Sequence, residues 1–185
     1  NSSGGNSFLG ATTTIANSGT GFFRFALTTL DTFGAGDLIL INTGTASIRM
    51  ADNVPGTVFN GNIFVNSTFG GGIFFSESGG GTATLAAGKA MSVGTSGGFT
   101  TGELRIRRFT QADAATPQTL LLTGTAALVL GPTIAYSGNS DFRAPQVYLQ
   151  GGTFNGPALI EKTGATDNSG TGNMTFQSTT TLRLS

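Results

Sequence analysis

Apolar residues in this chain fall in short runs. They read TTTIA, GFFRFAL, DLILI, SIRMA, NIFV, GIFFS, AMSV, ELRIRRF, QTLLL, AALVL, PTIAY, PQVYLQ, ALIEK and STTTLRL. The runs are rich in Ile, Val, Leu, Phe and Thr and are bounded by Gly, Asn, Asp or Ser, the composition and punctuation of strands. In ELRIRRF the alternation sends Leu104 and Ile106, with Arg108, to one side and Arg105 and Arg107 to the other. No window carries helical periodicity with caps. The pattern predicts a chain that is nearly all β.

Two periods organise these runs. The longer one carries Asn1 onto Asn168. The opening NSSGGNSFLGATTTIANS lies over the closing NSGTGNMTFQSTTTLRLS, so that Ser2 meets Ser169, and Thr12, Thr13 and Thr14 meet Thr179, Thr180 and Thr181. Self-similarity of this kind marks a repeat protein. It divides the chain into one unit, 1–167, and the start of the next, 168–185. The shorter period has an offset of 25 or 26. Phe8 meets Phe33, Asn17 meets Asn42, Arg24 meets Arg49, and SIRMAD lies over GIFFSE. With one inserted residue Phe33 meets Phe59, and VFNGN at 58–62 recurs as TFNGP at 153–157. Residues 79–150 follow this offset poorly.

A period of 25 with two or three short strands suits a right-handed parallel β-helix, or β-solenoid, in which each coil hydrogen-bonds to the next about 4.8 Å along the axis. Equivalent positions then stack. Phe8, Phe33 and Phe59 are expected to form an internal aromatic column. Asn17 and Asn42 are expected to form a corner ladder, each amide bonding its neighbour. The rival architecture is a string of tandem β-sandwich domains. It would need hairpins, for which Asn60-Gly61 and Asn155-Gly156 are the best turn candidates.

Composition then narrows the function classes. The chain has 185 residues, nine basic and nine acidic, and no Cys or His. Balanced charge gives no electrostatic footprint for nucleic acid, and no stretch is long and apolar enough to span a bilayer. There is no initiator Met or signal peptide, so the chain reads as an excised or mature piece. Fifteen Phe and 38% hydrophobic residues argue against disorder.

Without His or Cys, a nucleophilic triad cannot be built within the chain. A paired-carboxylate glycosidase is the remaining enzymatic option, and its candidates are Asp52 and Glu77, one coil apart. The simpler expectation is that both are solvated strand ends. Gly70–Gly72, Gly79–Gly81 and Gly97–Gly98 lack the Lys-Ser/Thr of a phosphate loop and read as corners. Stacked Arg24 and Arg49 are like charges on adjacent coils, unfavourable without a carboxylate between them. They are expected to reach a neighbouring subunit, as are Arg105 and Arg107. Asn66-Ser67-Thr68 and Asn173-Met174-Thr175 fit the glycosylation pattern. No metal or cofactor is expected.

The closing segment ALIEKTGATDNSGTGNMTFQSTTTLRLS resembles the autotransporter-associated β-strand repeat. The match rests on Leu159, Lys162-Thr163-Gly164, Asn173, Thr175-Phe176 and Thr180-Thr181-Leu182. The usual second glycine is replaced within Gly164-Ala165-Thr166. More loosely, the chain is similar to long repeat-rich surface proteins of Bacteroidota. The resemblance implies β-helical structure and extracellular display at the cell surface, and carries no catalytic residues. The expected role is a stiff structural repeat in a secreted fibre or adhesin. Its partners would be neighbouring repeats of the same chain, sister chains in a homo-oligomer or bundle, or a glycan or cell-surface ligand. Thr-rich ladders on one face would favour packing, whereas exposed Tyr136 or Tyr148 would favour sugar. The alternatives are a polysaccharide-active β-helix enzyme and a phage-type fibre.

Overall fold

The computed structural model describes residues 4–166 and 170–185. The pairs Asn1 with Asn168 and Ser2 with Ser169 lie outside them. The chain winds as a right-handed β-solenoid of about 7 turns, with about 25 residues per coil and no helix among the described residues. The first coil contains β1 (Ser7–Phe8), β2 (Thr12–Asn17) and β3 (Phe23–Arg24). The second contains β4 (Thr32–Phe33), β5 (Asp37–Asn42) and β6 (Ile48–Met50), and the third β7 (Thr57–Phe59), β8 (Ile63–Ser67) and β9 (Ile73–Phe75). The fourth holds β10 (Ala83–Leu85), β11 (Met91–Val93) and β12 (Glu103–Ile106), and the fifth β13 (Phe109–Gln111), β14 (Gln118–Leu121) and β15 (Ala127–Leu130). The sixth holds β16 (Ile134–Tyr136), β17 (Ser140–Ala144) and β18 (Gln146–Leu149). Two pairs follow, β19 (Gly152–Phe154) with β20 (Ala158–Lys162), and β21 (Met174–Phe176) with β22 (Thr180–Leu184).

These strands stack into three parallel sheets. The first runs β1-β4-β7-β10-β13-β16-β19-β21, the second β2-β5-β8-β11-β14-β17-β20-β22, and the third β3-β6-β9-β12-β15-β18. Among the described residues no strand pairs antiparallel with its sequence neighbour, which rules out the sandwich alternative. Asn60-Gly61 and Asn155-Gly156 are therefore not hairpin turns. Both follow an inward Phe and turn the chain from the first sheet into the second.

Stacking explains the sequence pattern. Alternate side chains of each strand point inward, and register places like on like. In the second sheet Ile15, Leu40, Val65, Val93, Leu120, Phe142 and Ile160 form one buried column. The long-period similarity has a geometric counterpart in the same sheet. From Thr14 the register runs through Ile39, Phe64, Ser92, Thr119, Asp141 and Leu159 to Thr181, its partner in the long period, in seven coil steps.

The coil is not uniform. The step from Ile48 to Ile73 keeps the regular offset, but Ile73 pairs next with Leu104, a longer step. Leu128 pairs with Val147 and Tyr136 with Phe154, both shorter ones. The first three coils turn from the third sheet to the first through loops 26–31, 51–56 and 76–82, each opened by a left-handed residue, Ala26, Ala51 or Ser76 (φ 52°, 50° and 55°). That conformation costs an L-residue about 1–2 kcal/mol. It is held by coil-to-coil bonds such as Ser76 N to Met50 O, 2.9 Å, and Asn53 N to Ala26 O, 3.1 Å. From the fourth coil onward only two or three residues make this turn, as at 107–108 and 150–151.

Close corner packing requires glycine at particular points. A Cβ on Gly61 would lie 1.8 Å from the Gly36 carbonyl oxygen, and one on Gly152 would meet Ile134 Cγ1 at 2.3 Å. Gly152 stands at an inward position of the narrow coil, where the space is already filled by its neighbour's side chain.

Candidate functional site

The aromatic column extends beyond three rings. Phe8 and Phe33 stack at 5.0 Å, Phe33 and Phe59 tilt at 4.9 Å, and the register continues through Leu85, Gln111 and Tyr136 to Phe154 and Phe176. Tyr136 and Phe154 stack at 5.6 Å, and Phe154 and Phe176 at 5.5 Å. Its residues fill the core. Tyr136 is fully buried, so it offers no ring to a surface ligand, contrary to the expectation of an exposed aromatic. Its hydroxyl has no hydrogen-bond partner among the described residues, and burial pushes its pKa above the ordinary phenol value. Tyr148 is half-buried on the third sheet, with its hydroxyl donating to Gln146 Oε1 at 3.2 Å.

Asn17 and Asn42 stand one above the other at the corner between the second and third sheets. Their amides bond the backbone rather than each other. Each Nδ2 donates to a carbonyl of its own corner, Gly21 O for Asn17 and Ala46 O for Asn42, and to one in the next coil, Ala46 O and Gly72 O respectively. Each Oδ1 accepts the N–H two positions on, Gly19 at 3.1 Å and Gly44 at 3.1 Å. The amides satisfy the corner carbonyls of Gly21 and Ala46 and add a second donor to Gly72 O, which Ile48 N–H already bonds. Ser67 occupies the next step and reaches Gly71 O at 3.3 Å.

The outer face of the third sheet carries the arginines. Register stacks Arg24, Arg49, Phe74, Arg105, Val129 and Tyr148. The arginines expected to reach a neighbouring subunit have partners within the chain. Arg24 Nε lies 3.7 Å from the buried Asp52 carboxylate, and Arg105 pairs with Glu77 and Glu103, both at 2.5 Å. Arg107 lies 3.9 Å from Glu77. Arg49 has no carboxylate partner among the described residues and is held between rings, 5.2 Å from the Phe22 centroid and 5.6 Å from that of Phe74. Arg105 covers the other face of Phe74 at 5.0 Å. Aromatic faces thus separate the like charges that stacking would set against each other. Burial alone would lower the Arg105 pKa, but Glu103 and Glu77 outweigh it and raise it.

The glycosidase candidates do not form an open pair. Asp52 is fully buried and accepts from Ser78 Oγ at 3.1 Å, and Glu77 is engaged by two arginines. Neither is a solvated strand end. Both belong to the wide corner loops, as does buried Asp31, which accepts from Ala26 N at 2.6 Å and from Asn6 Nδ2 at 2.8 Å. No group of three or more metal-ligating side chains occurs among the described residues. Among them no helix is long and apolar enough to cross a membrane. Of the two sequons, Asn66 is buried beside Ser96, while Asn173 is exposed.

Two features escaped sequence reasoning. Arg108 does not point inward with Leu104 and Ile106. It takes a left-handed φ of 42° and donates from Nε to Gly81 O at 2.8 Å and from Nη2 to Ser76 O at 2.6 Å and to Ser78 O. The wide loop of the third coil has no counterpart above it, and this guanidinium bonds the Ser76 and Gly81 carbonyls there and adds a second donor to Ser78 O, which Gly81 N–H already bonds. The signal for it was a third Arg at a strand end beside a break in the period. The second feature is the placement of the expected Thr-rich ladder: the outer row of the first sheet runs Ser7, Thr32, Val58, Thr84, Thr110, Ala135, Thr153 and Thr175, one residue per strand along the rod.

Compared with known proteins, the chain matches no family model, no curated protein and no solved structure. What the chain can do rests on its own geometry: a packed interior, corners bonded to their neighbours, engaged carboxylates, and a Thr-rich outer row interrupted by Val58 and Ala135.

Proposed function

We propose that this chain is a structural repeat of a long extracellular fibre or adhesin at the cell surface, working as a stiff rod and not as an enzyme. The unit would be residues 1–167, with 168–185 opening the next. The observation that carries this reading is the threonine row on the first sheet. It gives the rod a narrow, uncharged strip of small side chains, one residue per coil and mostly Thr, with Val58 and Ala135 supplying methyls alone, suited to lying against a flat sister chain in a bundle. The interior supports the same reading. It is packed mainly with aliphatic and aromatic side chains, and the two carboxylates considered for a paired-acid site are engaged, Asp52 by Ser78 and Glu77 by arginines. The resemblance of the closing segment, 158–185, to the autotransporter-associated repeat adds surface display.

The test is electron cryo-microscopy of the native, unfragmented assembly. An axial spacing near 4.8 Å with rods in lateral register is expected. A string of separated globules without that spacing, or hydrolysis of any member of a glycan panel by the purified chain, would overturn the reading.

A further inference from the structure

Alternation along β8 sends Phe64 and Asn66 to the outside of the second sheet, over Ile39 and Ile41 of the coil below. Asn66 is nevertheless only 8% exposed. An excursion of the next coil covers it. Coils two, three and five pass from the second sheet to the third through 43–47, 68–72 and 122–126, whereas the fourth takes 94–102. The chain leaves the ladder at Gly94, whose N–H donates to Val65 O at 3.0 Å, and rejoins it at Phe99, which bridges Ser67. Gly94 and Gly98 flank the extra residues with left-handed φ of 74° and 80°, which glycine adopts without strain. Between them the chain folds back over Asn66. Asn66 Nδ2 donates to Ser96 Oγ at 3.4 Å, and a Cβ added to Gly97 would stand 3.1 Å from Asn66 Cγ.

This excursion walls a cleft of about 230 Å³, whose lining includes Ile41, Thr43, Asn66, Thr68, Ser96 and Gly97. Coils lie on both sides of it along the rod, so it is a feature of the interior coils and not of an end. Its volume would hold about seven waters and falls short of the roughly 300 Å³ at which sites for drug-sized ligands begin. Asn66 Oδ1 is buried and accepts no hydrogen bond among the described residues. Buried acceptors are rarely left so, and this one calls for a donor. No side chain of the lining is charged, so the cleft offers nothing to hold an ion. Hydroxyls and an amide beside the Ile41 methyls match a sugar ring, which carries hydroxyls on its edge and C–H groups on its face. Thr68 leads directly into Phe69, which is 52% exposed. We propose that this cleft binds one uncharged sugar residue of a glycan, with a sugar hydroxyl donating to Asn66 Oδ1. Gly97 shields that oxygen, so the 95–98 segment swings aside about Gly94 and Gly98 as the sugar enters. The proposal rests on the adhesin part of the reading above and names its ligand class.

The test is saturation-transfer NMR on the whole chain with the methyl glycosides of glucose, galactose, mannose, fucose and N-acetylglucosamine. Transfer to at least one is expected, with a melting temperature that rises with its concentration. Ser96→Trp, at an exposed position of the wall, fills the mouth and should cut transfer at least tenfold while the circular dichroism stays β-type. Asn66→Leu discards the unpartnered oxygen at similar volume. Without sugar it should melt no lower than the wild type, and with sugar it should gain no protection. Were Asn66 only a clip for Ser96, Asn66→Leu would melt lower and sugar protection would persist; that result overturns the site. So does transfer to none of the five glycosides, which leaves water alone in the cleft, and so does equal transfer in Ser96→Trp. Each of these outcomes leaves the fibre reading standing, because the axial spacing of the native assembly is measured without sugar. Loss of that spacing with sugar binding intact would remove the fibre and keep the site.

Discussion

The first three coils and the fourth to sixth make the same turn in different ways. In the first three, the chain leaves the third sheet through a left-handed Ala26, Ala51 or Ser76 and runs through a loop that stacks on the loop beneath. In the later coils two or three residues make the turn, and the core narrows until Gly152 stands where a side chain stood before. The wide coils draw stability from loop-on-loop hydrogen bonds and buried carboxylates such as Asp31 and Asp52. The narrow coils draw it from close ring packing among Tyr136, Phe142 and Phe154. A solenoid tolerates both, because each coil needs to match only its two neighbours.

Core truncation tests that contrast most severely. Phe59→Ala in the wide part and Phe154→Ala in the narrow part each remove a fully buried ring and should cost about 3–5 kcal/mol, read from urea denaturation. If coils couple only to neighbours, hydrogen exchange will rise near the mutated coil first; equal acceleration along the whole rod would contradict this. The boundary between the two regimes is the next target. Arg108→Ala strips the carbonyls of Ser76 and Gly81 of the guanidinium donor, leaves Ser78 O with the Gly81 N–H alone, and should cost about 2 kcal/mol. Arg108→Lys should recover only part of that, since an ammonium cannot reproduce the planar fork. Asn42→Ala removes three corner hydrogen bonds but should cost only about 1 kcal/mol, because Gly44 N–H keeps Asn17 O, Ala46 O keeps Asn17 Nδ2 and Gly72 O keeps Ile48 N–H.

Smaller effects sharpen the comparison by pH. Tyr136→Phe removes an unpartnered buried hydroxyl from the narrow part and should leave neutral-pH stability unchanged or slightly raised. The wild-type tyrosine has a raised folded pKa, so it favours the folded state below the ordinary value of about 10 and loses that advantage as pH rises above it. The variant should therefore unfold at higher alkaline pH in a fluorescence titration. Asp113 behaves in the opposite sense and more weakly. Hydrogen bonds from Thr116, Ala115 and Gly88 lower its pKa, so its contribution is present above the ordinary carboxylate range and fades as acid reaches its folded value. Asp113→Asn should flatten the acid limb slightly and leave the alkaline limb alone.

The same contrast explains what was legible in the sequence. Every apolar run became a strand, and the short-period offset located the stacked Phe and Asn positions because the first three coils keep equal lengths. The missed strands were β17 and all of the first sheet except β16. Those of the first sheet are two or three residues long, such as Thr32–Phe33 and Gly152–Phe154, too short to display alternation. In β17, Asp141 and Arg143 alternate outward and leave only Phe142 and Ala144 as an apolar signal. The offset failed over 79–150 because coil length swings there, long from Ile73 to Leu104 and short from Leu128 to Val147. The arginine pairings were hidden for another reason: Arg24 and Asp52, or Arg105 and Glu77, meet only once the corners have set how far each loop reaches.

Coil-on-coil pairing has a further consequence under load. The hydrogen bonds of all three sheets run along the rod, so a pull on its two ends strains one coil junction at a time and not many in parallel. Each regular coil that lets go exchanges about 4.8 Å of rod for about 80 Å of unwound chain. The shorter step from Tyr136 to Phe154 yields about 60 Å. A tether built this way lengthens in discrete increments, dissipates energy at every one, and recoils from whichever coils remain folded as templates.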